Sequence, residues 1–153
     1  MKKIGICFLV IICLFISGCG EPKIKEVATL DEFNTVLVNN GFVVNNNIKT
    51  YSNTSYILEA EKAAYGDIEI EMIKYSDNES AEKVLEGHIE SFNLLKSTGA
   101  TEKNINGDNY HKYFLISNNR YMISVRVENT LVFCKTLITN KEVVDKILNE
   151  LGY

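Results

Sequence analysis

The chain has 153 residues, 46% hydrophobic and 24% charged, with one proline and no tryptophan. That composition fits a globular protein and excludes collagen-like, low-complexity and wholly disordered chains. Sixteen basic residues against 20 acidic ones give a formal charge of −4, which argues against a nucleic-acid partner, because phosphate recognition needs a basic surface.

The N-terminus stands apart from the rest. Lys2 and Lys3 precede an uncharged, mostly aliphatic stretch from Ile4 to Ile16. Thirteen helical residues at about 1.5 Å each reach roughly 20 Å, short of a hydrocarbon core of ~30 Å. The length suits the apolar region of an export signal. Counted on to Gly20 the uncharged run approaches the lower limit of a membrane span, so a retained anchor is the alternative. The run ends in Ile16-Ser17-Gly18-Cys19, which resembles the lipobox of bacterial lipoproteins: a branched aliphatic residue, two small residues, then cysteine. The resemblance implies a signal peptide over 1–18, cleavage between Gly18 and Cys19, a diacylglyceryl group on the Cys19 sulfur and so two or more acyl chains at the new N-terminus. At ~0.8 kcal/mol per buried CH₂, one chain is marginal and two hold stably. Membrane lipid is then the first partner, and the location is the outer, extracytoplasmic face of the cell membrane. Loss of Lys2 and Lys3 leaves 14 basic and 20 acidic residues, a net charge of −6. Cys134 would keep the only thiol, so no disulfide forms within the mature chain.

Residues 19–28 read as the lipidated cysteine and a short tether, and residues 29–153 as a single domain large enough to bury a full core. Three capping-box patterns, Thr29-x-x-Glu32, Ser76-x-x-Glu79 and Thr139-x-x-Glu142, predict helix starts. The first helix (about 30–40) carries Leu30, Phe33 and Leu37 on one face and stops at Gly41. The second (about 77–96) repeats Ala81, Val84, Leu85, His88, Ile89, Phe92 and Leu95 at helical spacing, and the third (about 140–151) buries Val143, Val144, Ile147, Leu148 and Leu151. Ile68–Met72 alternates as a strand after the Gly66-Asp67 turn, with Tyr56–Tyr65 as its partner strand, although that segment also suits a helix. Tyr110–Ser117, Arg120–Glu128 and Leu131–Ile138 form a meander through turns at Asn118-Asn119 and Asn129-Thr130. The expected fold is α+β, an antiparallel sheet of about five strands with three helices in the order α-ββ-α-βββ-α.

Register splits the meander into two faces. Tyr110, Phe114, Ile116, Tyr121, Ile123, Val125, Val127, Val132, Cys134 and Ile138 make the core face. The other bears His111, Tyr113, Leu115, Met122, Ser124, Arg126, Leu131, Phe133, Lys135 and Leu137. It is too apolar to be simply solvated, so it lies under a helix or binds a partner. The pattern puts His111, Arg126 and Lys135 beside Tyr113 at one end of that face. Such a cluster suits a carboxylate, a phosphate or an acidic partner segment, or pairs with acids of its own chain at a solvated edge.

No phosphate loop, nucleophile elbow or His-Glu zinc motif occurs. His88 falls on an apolar helical stripe, and the pairs Glu59/Glu61 and Glu69/Glu71 read as the wet face of a hairpin. No metal ligand set and no cofactor is expected. Val127-Glu-Asn-Thr-Leu-Val-Phe133 and Ile147-Leu-Asn-Glu-Leu-Gly-Tyr153 are similar to stretches of uncharacterised small lipoproteins of Gram-positive bacteria, a resemblance that implies no activity. The expected function is a non-enzymatic binding or interaction module for a protein or envelope component, the alternative a lipid-anchored envelope hydrolase or an inhibitor of one.

Overall fold

The computed structural model describes residues 23–153. The expected signal peptide over 1–18, the expected cleavage between Gly18 and Cys19 and the expected acylation of Cys19 lie outside the described residues. The elements run α1 (Leu30–Asn39), β1 (Val43–Asn46), β2 (Ile57–Tyr65), β3 (Ile68–Tyr75), α2 (Asn78–Asn93), β4 (Thr101–Asn106), β5 (Tyr110–Ser117), β6 (Arg120–Val127), β7 (Thr130–Leu137) and α3 (Lys141–Glu150), with short 3₁₀ turns at Ile48–Tyr51 and Ile138–Asn140. All seven strands join one antiparallel sheet in the order β1-β2-β3-β7-β6-β5-β4.

This overturns the expected sheet of about five strands in the order α-ββ-α-βββ-α: the molecule is mostly β, and β1 and β4 are additional. Both are edge strands. Val-Val-Asn-Asn and Thr-Glu-Lys-Asn-Ile-Asn are exposed along almost their whole length, so neither carries the two-residue apolar alternation that announces a half-buried strand. They are held by backbone pairing to β2 and β5.

Helices cover both faces. On one, Phe33 and Leu37 of α1 and Val144, Ile147 and Leu148 of α3 pack on Ile68, Ile70, Met72, Ile123, Val125, Val132 and Cys134. On the other, Ala81, Leu85 and Phe92 of α2 meet Ile73, Tyr75, Leu115, Met122 and Leu131. Helix α2 links β3 to the far edge strand β4 and crosses the sheet diagonally to get there. Its N-cap is Asp77, whose side chain accepts from the Ser80 amide at 2.7 Å, one residue after the expected Ser76. Thr29 and Glu32 do form a capping box, whereas α3 begins after Asn140 with no side-chain cap.

Turn chemistry fixes the hairpins. Asn118 and Asn119 both take positive φ, 49° and 60°, the backbone a two-residue turn needs to match strand twist. The β6–β7 turn is Glu128-Asn129, one residue earlier than expected, with Glu128 at φ 49°.

Residues 23–28, the end of the expected short tether, pack on the domain. The Asn109 side chain accepts from the Lys25 amide (2.9 Å) and donates to the Lys25 carbonyl (2.8 Å), as a neighbouring strand would. The Asp108 amide donates to the Lys23 carbonyl at 2.7 Å. The Lys25 ammonium donates to the Gly152 carbonyl at 3.2 Å and lies 5.0 Å above the Tyr110 ring. Gly107 makes this approach possible, because a Cβ there would sit 2.7 Å from the Lys23 carbonyl oxygen.

Candidate functional site

Four register rows run along the α2 side of the meander: His111–Arg126–Leu131, Tyr113–Ser124–Phe133, Leu115–Met122–Lys135 and Ser117–Arg120–Leu137. The expected cluster of His111, Tyr113, Arg126 and Lys135 is therefore split. His111 and Arg126 are cross-strand neighbours with Tyr113 one row on. Lys135 lies four residues along β7 from Leu131, the partner of Arg126, which at about 3.3 Å per residue is roughly 13 Å away.

The first row is neutralised from within. Glu82 on α2 receives His111 Nδ1 at 2.8 Å and pairs with the Arg126 guanidinium. His111 Nε2 meets Asn104 Oδ1 at 2.7 Å, and Arg126 donates to the Glu128 carbonyl at 3.0 Å. Around them Glu79, Asp108 and Glu128 line an open hollow, so the field there is acidic and an incoming anion has little to gain. Glu82 was not foreseen: it stands 29 residues from His111 and 44 from Arg126, and no local pattern links positions so far apart.

The second row packs beneath the helix. Ser124 is fully buried and its hydroxyl lies 3.0 Å from His88 Nδ1. The His88 ring sits 4.5 Å from Phe133 and 6.3 Å from Phe92, and desolvation among these rings pushes its pKa down to about 4. The Tyr113 hydroxyl donates to Glu102 at 2.7 Å and lies 2.9 Å from the Asn93 side-chain amide, tying the last turn of α2 to β4. Burial and the Glu102 charge push the Tyr113 phenol up to about 12. Tyr113 is thus a structural tie beneath the helix.

The helix runs out before the last rows. Beyond Asn93 the chain drops onto the sheet, where Ser117 Oγ donates to the Leu95 carbonyl at 2.9 Å and lies 2.9 Å from Ser97 Oγ. This leaves a corner at the β6–β7 side. Leu95, Ser117, Asn118, Arg120, Met122 and Lys135 line a hollow of about 230 Å³ floored by buried Met122. Leu95 in its lining and Leu137, the register partner of Arg120, are 39% and 41% exposed. Among the described residues no carboxylate pairs with Arg120 or Lys135, and the acids Glu69 and Glu102 of the same face are engaged by Lys62 (2.8 Å) and Lys96 (2.6 Å). Arg120 was missed because it opens a strand beside a turn, where a lone cation carries no pattern.

The other chemistry-bearing residues are engaged too. Cys134 is fully buried, and burial pushes its thiol up to about 12. Glu59 pairs with Lys74 at 2.7 Å, Glu61 accepts from Asn46 at 3.2 Å, and Glu71 accepts from Tyr51 at 2.8 Å. Among the described residues no three potential ligands cluster as a metal site would require.

No family model matches the chain, and no curated protein does. A solved structure, that of a GTP binding regulator from Thermotoga maritima, is similar over 86% of this chain and 90% of that one, at 17% identity and a TM-score of 0.49. At that distance the likeness carries nothing about what this chain binds.

Proposed function

We propose that the protein is a non-enzymatic binding module, held at the outer face of the cell membrane by acylated Cys19, that captures an anionic, partly apolar segment of a protein or envelope component at the corner formed by Arg120, Lys135, Leu95 and Leu137. The carrying observation is that corner: two cations without a carboxylate partner among the described residues flank an apolar hollow on a chain whose mature charge is −6. Positive charge on an otherwise acidic surface favours an acidic ligand, and neighbouring leucines add the apolar contact from which interfaces draw affinity.

Two experiments test this. Cys19→Ala should abolish incorporation of an alkyne fatty acid while the chain still folds; undiminished labelling refutes the anchor. A photo-crosslinking amino acid at Leu137 should trap a specific product in intact cells, weakened by high salt and lost in the Arg120→Glu/Lys135→Glu double variant. Crosslinks indifferent to both changes refute the corner.

A further inference from the structure

We infer that residues 23–28 act as a docked strap that orients the domain on the lipid bilayer, with the β4–β5 hairpin at 107–109 and the Glu128-Asn129 turn facing the headgroups. This rests on acylation of Cys19. Only Gly20, Glu21 and Pro22 separate that cysteine from Lys23, and four residue steps span at most about 14 Å. Lys23 is held where the Asp108 amide grips its carbonyl, and Lys25 where Asn109 pairs with both its backbone groups. The point at which the chain meets the membrane is therefore fixed to one end of the sheet, although the lipid itself attaches before the domain begins.

Three further observations agree on which groups lie at that end. The Glu128 amide donates to the Asn109 carbonyl at 2.9 Å and the Tyr75 amide to the Asn129 carbonyl at 2.8 Å, so the two turns and the start of α2 share one rim. Ile24, between the two strap lysines, is 65% exposed, an apolar side chain at the place where the headgroup region would receive it. Asp108 and Glu128 line the same rim, with Asp77 beside them as the N-cap of α2. Their charge repels anionic lipid, so the surface does not bind by itself and the strap must supply the orientation. At about 3.3 Å per residue, the eight-residue strands carry the Asn118-Asn119 turn, and with it the Arg120/Lys135 corner, roughly 26 Å farther out.

The test uses the full-length lipidated protein, purified in detergent and reconstituted into vesicles of phosphatidylglycerol and phosphatidylcholine containing a nitroxide-labelled lipid. A fluorophore is attached at Asp108→Cys or at Asn118→Cys, buried Cys134 remaining unlabelled. The label at 108 should lose most of its emission to the nitroxide and the label at 118 little. Inserting ten Gly/Ser residues between Pro22 and Lys23 leaves the domain intact and should erase none of the fold but make the anchor long enough for either end to approach, so the two positions become alike. Asn109→Ala, checked for folding by circular dichroism, should narrow the difference in the same direction. Equal quenching in the parent protein overturns the orientation, and a difference that survives the insertion overturns the role of the strap. Failure of Cys19 to take up lipid instead overturns the anchor and is seen directly by mass, before any vesicle is made.

Discussion

His88 makes folding stability depend on pH in a direction set by its burial. Its pKa falls from 6.5 to about 4 because α2 seats the ring against Phe133, Phe92 and Ser124. The folded state therefore disfavours the imidazolium, while the unfolded chain binds a proton near pH 6.5. Above that value both states are neutral and the contribution is complete. As pH falls below 6.5 only the unfolded state gains the proton, and stability drops until about pH 4, where the folded state titrates as well. Between pH 7.5 and 5.0 the loss from this residue is about 2 kcal/mol, from 1.36 kcal/mol per pKa unit over the 1.5 units below 6.5. Urea titrations followed by far-UV circular dichroism at the two pH values, on the parent and on His88→Gln, isolate it. Glutamine keeps a partner for Ser124 and does not titrate, while His111 and the carboxylates are common to both chains and cancel in the difference. The parent should lose about 2 kcal/mol more than the variant. Equal losses would refute the claim that the ring is held neutral under the helix.

Phe133→Ala removes the ring between His88 and Phe92; since Phe133 is only partly buried, it should cost about 2–3 kcal/mol in a urea melt, below the full range for a buried aromatic. Cys134, with its thiol pushed up to about 12, should resist alkylation by iodoacetamide at pH 8 in the native protein and react only in denaturant, as read by mass. Thr29→Ala removes the hydroxyl that accepts from the Glu32 amide and should cost about 1 kcal/mol, read as a lower melting temperature.

Sequence reading succeeded where a local rule decides conformation. Thr29-x-x-Glu32 is a chemical cap that works whatever surrounds it, and Asn118-Asn119 bends the chain through the residues' own tolerance of positive φ. The alternating apolar pattern then divided the two faces of β5, β6 and β7, although the earlier β6–β7 turn moved the pairing of those two strands by two residues. It failed where the outcome depends on partners far along the chain. Val43–Asn46 and Thr101–Asn106 become strands because an edge was open beside them. Lys135 was grouped with Arg126 because a turn at Asn129-Thr130 would set them in neighbouring rows, whereas the turn at Glu128-Asn129 pairs Arg126 with Leu131 and sets them two rows apart. The strap looked like linker because glycine, proline and charge usually mark one, and nothing nearby announces that Asn109 pairs with Lys25 from 84 residues away.

The polar character of the two edge strands bears on how densely such molecules can be assembled on a surface. An open sheet ends in rows of unpaired N–H and C=O groups, a template for strands of neighbouring copies, and confinement to two dimensions raises the frequency of encounter. β4 presents Glu102, Lys103 and Asn104 along that row, and β1 ends in Asn45 and Asn46. Bringing two such edges together would strip water from charged and amide side chains for an apolar gain confined largely to Val43 of β1. Crowded copies would therefore remain separate, each sheet free to keep its own edges in water.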